Sequence, residues 1–201
     1  MESLAIIAEF NPFHTGHARL IRQVRQAAGP EAAIVIIMSG AFVQRGEPAF
    51  FDKWHRAAWA IDGGADVVIE LPAVYALSSA AGFAQGGVTL AARLGCQALA
   101  CGVEGGTAAD FLSLARRSEG LTACLKAAKK SSAGQQLTDA LMAAAPDEAR
   151  LLQQPNALLA FEYARAMLKQ EQPLTFLPLP RQGRHGDTGL GAAFASASAL
   201  R

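Results

Sequence analysis

The sequence predicts an α/β fold: a parallel sheet of about five strands with helices on both faces and a helical insertion. Three observations carry that expectation. Short apolar runs at residues 4–8, 32–38, 66–71 and 97–101 begin roughly 30 residues apart, the size of a strand–helix unit. Segments of helical periodicity lie between them. Hydrophobic residues make up 51% of the 201-residue chain and charged residues 17%, which supplies a core and rules out a disordered chain.

Taken in order, the two middle runs are rich in Val and Ile with little alternation, as in strands covered on both faces. Residues 16–25 place Leu20, Ile21 and Val24 on one helical face and Arg19, Arg22 and Arg25 towards solvent. Residues 53–61 group Trp54, Ala57, Ala58 and Ile61, and Gly63-Gly64 ends that helix. Ser78 or Ser79 can cap the next helix, which ends near Gly95. After Gly105-Gly106 the pattern is helical only, over 108–117, 120–130 and 135–145, an elaboration of about 107–150 punctuated by Pro146 and Pro155. A helix over 156–168 and a short strand over 174–177 follow, then a Gly-rich loop from Arg181. One domain across 1–201 is expected.

Eighteen basic against 17 acidic side chains leave a net charge of +1, which argues against coating nucleic acid or anionic membrane by bulk electrostatics. Cys96, Cys101 and Cys124 form no C-x-x-C pair and read as buried, reduced thiols, neither a disulfide framework nor a zinc site. The first ten residues, MESLAIIAEF, have no positively charged region ahead of their apolar run and no plausible cleavage site, and the apolar runs stop well short of the ~20 residues that span a bilayer. A soluble, cytoplasmic protein without a membrane partner is expected.

The most informative residues are Glu9-Phe10-Asn11-Pro12-Phe13-His14-Thr15-Gly16-His17, where a strand ends and a helix begins. In open parallel sheets, ligands bind at the carboxyl ends of strands. Asn11-Pro12 forces a turn, Gly16 allows close approach to the backbone, and the helix start offers free N–H groups to an anion. His14 and His17 can both point at one phosphate and counter charge during displacement at phosphorus. Ordinary capping histidines are the bland alternative, but half of the protein's four histidines fall in H-x-G-H. A zinc pair lacks a third nearby ligand.

H-x-G-H at the first strand–helix junction resembles the nucleotidylyltransferase superfamily, whose fold is Rossmann-like, of the HUP type. The runs Met38-Ser39-Gly40-Ala41-Phe42-Val43-Gln44-Arg45-Gly46-Glu47-Pro48, Asp52-Lys53-Trp54, Asp66-Val67-Val68-Ile69-Glu70-Leu71-Pro72, Pro155-Asn156 and Ser196-Ala197-Ser198-Ala199-Leu200-Arg201 further resemble the bacterial tRNA(Met) cytidine acetate ligase family. That resemblance implies activation of acetate by ATP to acetyl-adenylate, then N4-acetylation of the wobble cytidine of elongator tRNA(Met). It implies an ATP site formed by Ile7, Ala8, Glu9, Phe10, Asn11, Pro12, Phe13, His14, Thr15, Gly16, His17, Ala18, Arg19 and Leu20 with Gly102, Asn156 and Arg181. His14 and His17 would act on the phosphates, and Arg181 would be a charge partner. Asn156 could equally be a helix N-cap. Mg2+ is expected with the triphosphate, held largely by phosphate oxygens and water, and no dedicated metal site is visible.

Arg45 and Lys53, in a segment that reads either as a solvated loop or as a lid meeting phosphate or RNA, are secondary candidates. Ser196, Ser198 and Arg201 join them by the resemblance. The sequence departs from the family at Ala41, at Ala81 and across Cys101-Gly102-Val103-Glu104. Family members also continue into a helical region thought to hold tRNA, and that region is expected to be absent here. Three readings stay open: the acetate–tRNA ligase or its catalytic domain, a stand-alone nucleotidylyltransferase adenylating a small molecule, and a degenerate nucleotide-binding module.

Overall fold

A computed structural model describes residues 2–125 and 133–181. Strands β1 (Ser3–Ala8), β2 (Ala33–Ser39), β3 (Val67–Leu71), β4 (Ala98–Val103) and β5 (Thr175–Pro180) form one sheet in the order β3-β2-β1-β4-β5. All pairs are parallel, with Ala8 opposite Met38 and Ile6 opposite Ala100. The chain steps outward from β1 to β3, then returns to lay β4 on β1's other side. The switch point of the sheet therefore lies between β1 and β4, where ligands bind in folds of this kind.

Alternation along the strands divides the core. Leu4, Ile6, Ile34, Ile36, Ala98 and Ala100 face helices α1 (Thr15–Ala28) and α2 (Lys53–Asp62). Ala5, Ile7, Val35, Ile37, Leu99 and Cys101 face α4 (Ala80–Arg93), α5 (Ala108–Leu125) and α8 (Pro155–Met167). A four-residue helix α3 (Ala73–Ala76) leads into α4, whose N-cap is Ser79. Helices α6 (Ala133–Ala144) and α7 (Pro146–Ala149) complete the elaboration. Among the described residues no helix is long and apolar enough to cross a membrane.

Several expectations are corrected. One helix, α5, runs through Gly120 where a break was expected; Gly120 has open space around it, and a single helical glycine costs only about 1 kcal/mol. Strand β3 is an edge strand with Val67 41% exposed, so it is not covered on both faces. Strand β5 continues through Pro178 and Pro180, beyond the expected 174–177. Thr175 and Arg181 donate their amides to the carbonyls of Gln97, just before β4, and Val103, at its end, so alternation turns the prolines' missing N–H groups to the unpaired side of this other edge. Arg25 does more than face solvent: it pairs with Asp66 at 2.6 Å and donates to the Gly64 carbonyl, stitching α1 to the loops below β2 and β3.

Helix α2 holds the largest departure. Its buried residues are Arg56 and Ala60, whereas Trp54 is 74% and Ile61 44% exposed. The Arg56 guanidinium finds carbonyl partners at the strand ends, and satisfying those buried acceptors fixes which face of the helix turns inward.

Candidate active site

Strand β1 leaves the sheet through Phe10, which has a φ of 49°, and the cis Asn11–Pro12 bond. Phe10 is buried against the α1–α2 core. Asn11, also buried, accepts a hydrogen bond from the Phe50 amide at 2.7 Å through Oδ1. These contacts fix where the first residues of α1 stand.

His14 is the N-cap of α1. Its Nδ1 accepts from the Gly16 amide at 3.0 Å, and the His17 Nδ1 accepts from the His14 amide at 3.3 Å. The two imidazoles thus form a reciprocal capping box, the role more often taken by Ser or Thr with Glu. A ring nitrogen that accepts carries no proton, so the neutral rings hold theirs on Nε2, turned away from the backbone. The rings stack with centroids 3.7 Å apart, and His17 also packs on Phe10. A Cβ at Gly16 would come within 2.9 Å of His14 Cε1, so the close approach this glycine permits is that of the His14 ring. The expected free amides are corrected accordingly: the imidazoles take two of them, and an arriving anion meets Nε2–H groups at the positive end of the helix.

Electrostatics follow from burial. Desolvation, with the Arg181 charge adding to it, lowers the His14 pKa to about 4. Burial, then His14 and Arg181, hold His17 well below the usual imidazole value. Both rings are neutral at pH 7, and a phosphate among them would favour the protonated forms.

Three further predicted residues converge here. The Arg181 amide donates to the Val103 carbonyl at 2.8 Å, and its stem lies over Gly102. A Cβ at Gly102 would sit 2.9 Å from Arg181 Cγ and 3.9 Å from Leu20 Cδ2, so only glycine leaves room for that stem. Asn156 donates from Nδ2 to Glu104 Oε1, and the Ala157 amide donates to Glu104 Oε2 at 3.2 Å. Asn156 is therefore not the N-cap of α8; Gln154 holds that position and Glu104 supplies the acceptor from the end of β4. A histidine pair, an arginine and an amide thus surround the β1–β4 switch point.

The HIGH Nucleotidyl Transferase family matches residues 1–201. The chain belongs to that family. It is 40% identical to the tRNA(Met) cytidine acetate ligase of Pediococcus pentosaceus and 40% identical to that of Syntrophomonas wolfei. Both matches take in 100% of this chain, and they cover 52% and 51% of those two relatives. The chain spans about half the length of the curated relatives it matches. The crystal structure of Thermotoga maritima TmcAL bound with alpha-thio ATP is similar to it with a TM-score of 0.85 at 32% identity, over 100% of this chain and 49% of that one. The apo form of that protein gives a TM-score of 0.85 at 30% identity.

Two other candidates of this nucleotidyl transferase chain, Arg45 and Lys53, follow β2 in the sequence. Residues 41–49 form a small hairpin closed by an antiparallel bridge between Phe42 and Pro48. Gln44 pins it to the site by donating its amide to Glu9 Oε1 at 2.6 Å. Arg45 lies in its 3-10 turn, Gln44–Gly46. Lys53 sits 2.6 Å from Glu70 of β3 and 5.2 Å from the Trp54 ring centroid, so the structure does not bring it to the imidazoles. Ser196, Ser198 and Arg201 lie outside the described residues. Cys96 and Cys101 are free and buried, and burial pushes the Cys101 thiol up to about 12. Among the described residues no group of three His, Cys, Asp or Glu side chains could hold a metal ion.

Sequence reasoning missed Arg56 and Glu104. Arg56 is fully buried and donates to the carbonyls of Phe51 at 2.9 Å, Glu9 at 2.6 Å, Ser39 at 3.0 Å and also Gly40. It ties the ends of β1 and β2 to the start of α2. The available signal was an arginine set among alanines and tryptophans in a short helix.

Proposed function

We propose that this chain activates a small carboxylate, acetate, with ATP, and that the acetyl group is destined for N4 of the wobble cytidine of elongator tRNA(Met). Capping by neutral imidazole nitrogens carries the reading. It keeps two Nε2–H donors at the start of α1, beside Arg181 and the Gly102 backbone, at the switch point where a nucleotide fits. Similarity to proteins named tRNA(Met) cytidine acetate ligases, and to one solved with alpha-thio ATP, supports the choice of nucleotide and acceptor.

ATP lies over residues 7–20, with Gly102, Arg181 and Asn156 on its far side. Carboxylate oxygen attacks the α-phosphorus, the bond to the bridging oxygen of the β-phosphate breaks, and pyrophosphate leaves. His14 and His17 donate from Nε2 to the phosphate oxygens, and Arg181 offsets the growing charge. The cytidine amine then attacks the acetyl carbonyl, releasing AMP and one proton. Magnesium bound with the triphosphate would be held by phosphate oxygens and water and would offset charge on the leaving pyrophosphate.

Pyrophosphate exchange tests this. ATP and acetate together support exchange, and His17→Ala lowers it at least tenfold, or ~1.4 kcal/mol of barrier. Tight ATP binding without exchange for acetate or any other small carboxylate would leave only a nucleotide-binding module.

A further inference from the structure

A second concave site opens between α1 and α2, on the side of α1 that faces β2 and β3, away from Gly102 and Arg181. This cleft, of about 770 Å³, shares Pro12 and Phe13 with the loop before His14. Its size suits a ligand of nucleotide dimensions. Phe51 and Trp59 meet edge to face, at 82° to each other with centroids 4.9 Å apart, so a flat ring can stack on one of them while the other stands across its edge. Phe13 lies against Gly63, where a Cβ would come within 2.6 Å of its ring, so a glycine at the end of α2 lets that ring wall the cleft.

Two charged residues line the same cleft: Arg22 from α1 and Asp62, the last residue of α2. Both are exposed, and among the described residues neither side chain has a hydrogen-bond or ionic partner, including each other. Arg25, one turn on, shows what an employed arginine looks like here, with Asp66 and the Gly64 carbonyl as partners. Aromatic faces flanked by one unpaired acceptor and one unpaired cation complement a flat ring that has a donor on one edge and acceptors beside it. Cytosine and adenine have that pattern, and Asp or Glu is the usual acceptor for the cytosine amine. Stacking on aromatic side chains is how unpaired bases are held.

We infer that the α1–α2 cleft receives one unstacked, amino-bearing base of a bound RNA strand, stacked on the Trp59 ring with Phe51 standing across its edge. Asp62 accepts from the exocyclic amine, and Arg22 donates to the base or its phosphate. This inference rests on the reading of the chain as an RNA-directed enzyme and places one contact of that substrate beside the ATP loop.

The test uses the full chain bearing Trp54→Phe, a change at a residue 74% exposed, which leaves Trp59 as the single tryptophan of the original two. Titration with a short oligocytidine quenches Trp59 saturably, and an oligouridine of equal length, which lacks the amine, binds at least threefold more weakly. Arg22→Ala and Asp62→Ala each weaken oligocytidine binding at least fivefold, with pyrophosphate exchange within twofold of the parent. Three outcomes overturn the inference: no quenching by oligocytidine, quenching unchanged in both variants, or quenching by CMP as strong as by the oligomer. Exchange without RNA, measured on the same samples, separates the two proposals. Exchange with a silent Trp59 sinks only this one, and quenching without exchange sinks only acetate activation.

Discussion

Two helices leave the carboxyl edge of the sheet with a histidine near their start, and their caps differ in charge. At α2 the cap is Asp52, whose Oδ1 accepts from the amides of Trp54 at 2.9 Å and His55 at 3.0 Å. Its other oxygen lies 2.6 Å from His55 Nδ1, and both side chains are more than half exposed. The positive end of α2 is thereby filled by the protein's own carboxylate. At α1 the same kind of amide is capped by imidazole nitrogens that burial and Arg181 keep neutral. Capping is satisfied while the dipole receives no negative charge. A neutral cap with a cation nearby leaves a helix start open to an anion, and the proposed ATP site rests on that difference.

Arg56 is the strut between the two starts, since one guanidinium serves the Glu9 carbonyl before α1 and the Phe51 carbonyl before α2. Its removal is the largest effect expected. Arg56→Met leaves buried carbonyls without donors and lowers stability by about 3–5 kcal/mol, the range for breaking a buried charged network. Urea unfolding measures it. A loss under about 1 kcal/mol, within the span of an ordinary surface change, would show that the two starts are held independently.

Converting one start into the other comes next. His14→Asp gives α1 the cap that α2 has, and the fold should hold because Asp is a strong N-cap. The resident carboxylate then opposes phosphate, and ATP affinity measured by calorimetry falls at least tenfold, ~1.4 kcal/mol. Unchanged affinity in a folded variant would mean that cap charge does not distinguish the two helices.

The same pair shows what the sequence could and could not convey. The first strand, the Asn-Pro turn and the two histidines stand in one continuous run, so the α1 start was legible as a site. Gly102 and Arg181 were placed by resemblance alone, because the contact between them joins two neighbouring strands far apart in the chain. The inward face of α2 was misassigned for a physical reason. Helical periodicity counts apolar residues and assigns Trp54 and Ile61 to the core, but it cannot see carbonyls waiting at the strand ends. The N-cap alternative for Asn156 failed for a similar reason, since its partner Glu104 comes from the end of β4 and not from its own helix.

The finest distinction between the starts is their response to acid. A pKa of about 4 for His14 in the folded chain, against about 6.5 for a free imidazole, means the unfolded chain binds the proton first. Between those values acidification favours unfolding, and His17, also held well below the usual imidazole value by burial, acts in the same direction. Asp52 behaves differently. Hydrogen bonds from His55 hold its carboxyl below the ordinary carboxylate value, so its support is present at pH 5 and fades only as the pH falls through that lowered pKa. The α1 start should thus weaken first, and the α2 start only in stronger acid. Replacing His14 with Asn keeps a good cap but removes the titrating group. Urea midpoints at pH 7 and pH 5 should therefore fall less in His14→Asn than in the parent. If both fall in parallel, the proton taken up on unfolding belongs elsewhere, and the neutral cap that separates α1 from α2 loses its support.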